Sequence, residues 1–208
     1  GVFEVISSAR YYTNTDITSD QFALFIINFL TSRDIKKTDI KKLIFSSVVP
    51  PMNNILKNMY IDYFKGDILE VNSSMNLGIK NCYRTPEEVG SDRLVNASAA
   101  YKLYKKNSII IDLGTATTLC VLTEKGEYYG GAIYPGINTS IKALIKKAAK
   151  LPAIKLRHRE KLLSENTVSA LESGIYYSNY YALLGMKKQL ALEMNFKEFI
   201  TIGTGGYS

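Results

Sequence analysis

The chain has 208 residues, 46% of them hydrophobic, with 26 Lys and Arg against 19 Asp and Glu and a formal net charge of +7. That is enough apolar material for one substantial core or two smaller lobes, and it excludes a disordered chain. No apolar run approaches the roughly 20 residues that span a bilayer, and no basic-then-apolar leader opens the chain, so a soluble cytoplasmic protein without a membrane partner is expected. Cys82 and Cys120 form no CxxC or Cys/His cluster, which argues against zinc or a disulfide framework and for two buried, reduced thiols. The positive charge suits a nucleic-acid surface, but it suits the handling of anionic nucleotides equally well.

Along the chain, residues 1–9 (GVFEVISSA) and 10–15 (RYYTNT) read as two strands. From Thr18, apolar residues at Phe22, Phe25, Ile26, Phe29 and Leu30 recur at helical spacing. KKLIFSSVVPP then predicts a short buried strand ended by two prolines, MNNILKNMYIDYF a helix, and DILEVN a strand. This order describes an α/β lobe with a partly parallel sheet. A loop punctuated by Pro86 and Gly90 leads into a helix lined by Leu94, Val95, Ala97 and Leu103 that ends in lysines, as the helix dipole favours. Strands follow at 108–113, 116–123 and 127–134, then an amphipathic helix from Ile137 to Leu151 and a longer, tyrosine-rich one from Thr167 to Met194. FITIGTGGYS closes the chain as a strand running into a glycine turn. The coarse element order recurs between halves, so two duplicated lobes, 1–105 and 106–208, are expected, with a ligand cleft between them.

Four clusters can carry chemistry. In VGSDR, Asp92 stands at a helix start, where an N-terminal cap is the commoner role and a catalytic base the sharper one. Arg93 is of a type most often solvated, although a guanidinium beside a base can clamp a substrate carboxylate in a fixed fork. In DLGTATT, Asp112, Gly114 and Thr115 form either a tight turn or a cradle for phosphate and a cation. GGAIYPG at 130–136 carries the same pair of readings. Gly205 and Gly206 either tighten a turn or let a nucleotide lie against the backbone. His158, in KLRHREK, has no catalytic partner placed by sequence and is expected at the surface without a role.

Taken in order, SSVVP, YRTPEEVGSDR, IIIDLGTATT, GEYYGGAIYPGI, KLP, ENTVSALESGI and TGGYS resemble the type III pantothenate kinases over essentially the whole chain. The resemblance implies a fold of the acetate and sugar kinase, Hsp70 and actin type: two duplicated α/β lobes, ribonuclease H-like, with a nucleotide cleft between them. It also implies transfer of the γ-phosphoryl group of ATP, carried with Mg²⁺, to pantothenate on the way to coenzyme A. Asp92 is then the proton acceptor, and Tyr83, Gly90, Ser91 and Arg93 line the pantothenate site with it. Thr167 reaches substrate across a homodimer interface. Thr115 and Gly114, with Gly205 and Gly206, serve ATP, and Asp112 holds a monovalent cation, potassium or ammonium.

The family's opening Asp-x-Gly-Asn-Thr motif does not occur in this sequence, nor do helices follow TGGYS. The expectation is a trimmed portion of a longer protein, or a fragment that binds pantothenate without turning it over. The alternative from another class is a non-catalytic transcriptional accessory relative of the same fold. Lys36, Lys37, Lys41, Lys42, Lys146, Lys147 and Lys150 are spread over helices and loops with no nucleic-acid-binding signature, so nucleic acid is not an expected partner.

Overall fold

A computed structural model describes residues 4–148 and 151–207. The chain folds as mixed α/β in two compact units, residues 1–75 with 90–92 and residues 76–89 with 93–208.

In the first unit, α1 (Ser19–Thr31) and α2 (Pro50–Tyr63) pack on a two-stranded parallel sheet of β1 (Lys42–Phe45) and β2 (Asp67–Glu70). α1 starts at a capping box: Thr18 Oγ1 accepts from the Gln21 amide at 3.2 Å, and Gln21 Oε1 accepts from the Thr18 amide at 3.0 Å. Pro50 and Pro51 do more than end a strand. They open α2, where a fixed φ and a missing N–H suit the first turn. Phe22, Ala23, Met59 and Tyr60 form the core of this unit, with Leu43 and Ile68 supplied by the strands. β1 is buried on one face alone, since Ile44 is 63% exposed.

The two strands expected at 1–9 and 10–15 are not formed in the described part, residues 4–15. A strand needs a neighbour to take its backbone groups, and among the described residues β1 and β2 pair only with each other. Val5, Ile6 and Tyr12 therefore stand exposed, and Tyr11 instead packs its ring against Phe22 and Phe25. Residues 1–3 of the first expected strand lie outside the described residues.

The second unit is built on a five-stranded mixed sheet in the order β3-β6-β5-β4-β7. Its strands are β3 (Lys80–Asn81), β4 (Ser108–Leu113), β5 (Ala116–Leu122), β6 (Glu127–Pro135) and β7 (Ile200–Gly205). β4, β5 and β6 form the expected antiparallel meander, and β7 runs parallel to β4. β3, two residues long and parallel to β6, carries no periodicity by which a sequence reveals it. Side chains alternate across the sheet. Ile110, Cys120, Leu122 and Tyr128 meet α3 (Ser91–Tyr104) through Leu94, Ala97 and Ala100. Ile109, Ile111 and Leu119 meet α5 (Thr167–Glu193) through Leu183, Met186 and Ala191. α4 (Ile137–Lys147) buries Ile137 and Ile141. Its expected last turn includes residues 149–150, which lie outside the described residues. α3 packs on this sheet. Cys120 is buried as expected, whereas Cys82 is only half-buried.

Candidate active site

The start of α3 gathers the first group. Ser91 is buried, its hydroxyl accepting from Ser46 Oγ at 2.9 Å and donating to the Ser47 carbonyl at 3.5 Å. Those bonds pin the first turn of the helix to the segment after β1. Asp92 follows in the same turn with an exposed side chain, where the helix dipole favours a negative charge. Its carboxylate lines a cavity of about 340 Å³ in the first unit together with Ser46, Ser47, Val48 and Met52. A Cβ at Gly90 meets Asp92 Oδ1 at 2.6 Å and Val48 at 3.1 Å, so the glycine is what lets the carboxylate lie back over the turn.

Arg93 departs from the solvated position usual for its type: it is 8% exposed. Its Nε donates to Cys120 Sγ at 3.3 Å, and its guanidinium carbon lies 6.0 Å from the Tyr83 ring and 5.9 Å from the Tyr128 ring. Burial works against the charge, while Cys120, then Tyr128 and Tyr83, raise the pKa and leave it above the ordinary arginine value. Burial above all, then Cys120, pushes the Tyr128 phenol well above its usual range, with Arg93 opposing. Tyr83 has its place because Gly130, at φ +83°, has no side chain; a Cβ there strikes the Tyr83 ring. Cys120 and Tyr128 were not legible as members of this group. Each reads as an ordinary inward strand residue, and Gly130 in the Gly-Gly pair was the one available signal.

The third group lies at the C-terminal ends of β4 and β7, the end of parallel strands where ligands bind in α/β sheets. Asp112 Oδ2 accepts from Asn96 Nδ2 of α3 at 2.9 Å. Its Oδ1 faces Gly205, where a Cβ meets that oxygen at 2.6 Å and the Leu113 backbone at 2.6 and 2.7 Å. The Gly206 amide donates to the Leu113 carbonyl at 3.1 Å, and the Gly136 amide to the Thr115 carbonyl at 3.0 Å. Thr139 Oγ1, in the first turn of α4, also donates to the Thr115 carbonyl, at 2.6 Å. The structure thus brings Asp112, Gly114, Thr115, Gly205 and Gly206 together, with Gly114 and Thr115 exposed. Asn96 and Thr139 are additions that sequence reasoning missed, since they come from helices 16 and 24 residues away from their partners. A larger hollow of about 630 Å³ at the N-terminal ends of the same strands, lined by Lys106, Asn107, Lys197 and Phe199, holds none of these groups.

Thr167 is the first residue of α5, exposed, beside an Asn166 cap that accepts from the Ser169 amide. It makes no hydrogen bond to the Asp112 group. His158 is exposed and pairs with the Tyr176 hydroxyl at 2.9 Å. Among the described residues no cluster of three or more His, Cys, Asp or Glu side chains gathers, and no helix is long and apolar enough to cross a membrane.

Residues 1–189 match the family model described as type III pantothenate kinase. Two proteins named type III pantothenate kinase, from Dehalococcoides mccartyi strains CBDB1 and BAV1, are 40% and 39% identical to the chain over 190 residues. In both cases the alignment spans 91% of this chain and 72% of the relative. A solved structure from Campylobacter jejuni, described as a Baf family transcriptional activator, is 20% identical, covers 85% of this chain and 80% of its own, and has a TM-score of 0.49. At those values it decides neither fold nor role. The family match ends before Gly205 and Gly206.

Proposed function

The chain belongs to the type III pantothenate kinase family, and from that premise we propose that it transfers the γ-phosphoryl group of ATP to the primary hydroxyl of pantothenate, the first committed step towards coenzyme A. The observation that carries this reading is the sequence of groups at the start of α3: an exposed carboxylate on a pinned first turn, followed at once by a buried guanidinium between two tyrosines.

An alcohol holds its proton tightly at neutral pH. Asp92 orients the hydroxyl and accepts that proton as the bond to phosphorus forms. Gly90 and Ser91 shape the turn beside it, Arg93 pairs with the pantothenate carboxylate, and Tyr83 packs against the substrate. Thr115 presents a hydroxyl to ATP, and Gly114, Gly205 and Gly206, having no side chains, let the nucleotide, whose phosphates carry Mg²⁺, lie against the backbone. Asp112 is read as the ligand of a monovalent cation: its Oδ1 stands beside the Gly205 turn, and hard oxygen donors are the ligands such ions take. A bound potassium or ammonium ion supplies positive charge next to the nucleotide phosphates.

The family implies an actin-like fold, and we read the two compact units as its two related lobes. We also read the chain as a cytoplasmic homodimer, working where ATP is, with Thr167 completing the partner's pantothenate site. Tyr180 and Tyr181 on α5, 46% and 58% exposed, support that reading, because large amphipathic side chains suit interfaces.

The test is Asp92→Asn. The amide keeps the shape and cannot take a proton, so phosphoryl transfer in an ADP-coupled assay falls by about 10² or more, while calorimetry still detects pantothenate binding. Turnover at the wild-type level from this variant sinks the assignment of Asp92 as base.

A further inference from the structure

An arginine used to grip a carboxylate has several torsions to lose, so its grip improves when something fixes the guanidinium plane beforehand. Here the sheet does this. Cys120 Sγ, 3% exposed, accepts the Arg93 Nε–H at 3.3 Å and the Tyr128 hydroxyl at 3.4 Å. The thiol's own hydrogen is turned to Thr118 Oγ1, 4.0 Å away. Tyr128 is fully buried, and its ring and that of Tyr83 lie near the guanidinium. Rotation of the guanidinium about its own axis breaks the bond to sulfur. The two strands hold the sulfur in register: Cys120 on β5 and Tyr128 on β6 face the same side of the sheet, the side on which α3 lies.

We propose that Cys120, itself held by Tyr128, is a positioning residue for Arg93, setting the guanidinium plane so that the terminal N–H pair meets the pantothenate carboxylate as a fork. The proposal rests on the reading of Arg93 as the carboxylate clamp. The sulfur touches no reacting atom, so its removal changes substrate affinity and leaves the chemical step alone. Serine retains a small acceptor at the same Cβ and restores the bond; alanine does not.

The experiment measures pantothenate dissociation constants by calorimetry, with kcat and the ATP KM beside them, for Arg93→Ala, Cys120→Ala, Cys120→Ser and Tyr128→Phe. Cys120→Ala is expected to weaken pantothenate binding about tenfold, the scale for losing a hydrogen bond that holds a charged group, with kcat and the ATP KM within about twofold. Cys120→Ser is expected to recover most of that loss. Tyr128→Phe, which removes one hydroxyl and keeps the ring, gives a smaller loss of the same kind and decides the matter if Cys120→Ala does not fold. Wild-type affinity in Cys120→Ala or, failing its folding, in Tyr128→Phe overturns the proposal while a weakened Arg93→Ala leaves the clamp standing. Equal losses in the Ala and Ser variants overturn it too, since the acceptor then plays no part. Unchanged binding in Arg93→Ala removes the clamp itself.

Discussion

Gly205→Ala strikes the turn beside Asp112, and its size can be worked from the structure. Gly205 has φ +93°, a region in which an L-residue costs about 1–2 kcal/mol. The added Cβ lies 2.6 Å from Asp112 Oδ1, 2.6 Å from the Leu113 nitrogen and 2.7 Å from the Leu113 carbonyl carbon. Two of those three are backbone atoms of β4 in the interior of the sheet, which cannot swing aside, so overpacking adds about 1–3 kcal/mol. The sum is about 2–5 kcal/mol. With a urea slope of about 2–3 kcal/mol per molar for a chain of this kind, the unfolding midpoint falls by about 1–2 M. Binding of a fluorescent ATP analogue falls with it, because the added Cβ also pushes the Asp112 carboxylate aside. Gly114→Ala is the control: its Cβ meets Asp112 Oδ1 at 3.4 Å and the Ala116 carbonyl at 3.5 Å, ordinary contacts. A Gly205→Ala midpoint indistinguishable from wild type, or an equal fall in both variants, refutes the reasoning.

Asp112→Ala is expected to weaken potassium or ammonium activation and raise the ATP KM; cation dependence identical to wild type counts against the cradle. Thr18→Ala removes one half of the α1 capping box and is expected to destabilise the first unit by about 1 kcal/mol, read as a lower urea midpoint. Tyr128 keeps its proton in the folded protein well above the usual range. Above about pH 10 the unfolded chain therefore binds fewer protons than the native one. Its contribution is complete below that pH and is lost as pH rises, so urea midpoints should fall between about pH 10 and 11. Tyr128→Phe should flatten that part of the slope, and an unchanged slope in the variant argues against burial of the phenol as its source.

Sequence alone determined what local chemistry determines. The 3.6-residue spacing of Phe22, Phe25, Ile26, Phe29 and Leu30 makes α1, the apolar runs of 108–113 and 116–122 broken by glycine turns make the meander, and the order of the VGSDR and DLGTATT motifs carried the family resemblance. Gly205 was legible as a turn former because few other residues suit a turn at positive φ. Tertiary structure decided the rest. Residues 4–15 have the β-branched and aromatic content of strands, yet strand formation depends on a partner that no residue within the segment supplies. The environment of Arg93 is set by a cysteine 27 residues on and by Tyr128, both brought to it by the register of β5 against β6 and the packing of α3 on their shared face. Whether an arginine is solvated or buried is a property of what the fold places around it. A window of sequence holds the side chain but not its neighbours, and at this site the neighbours do the positioning.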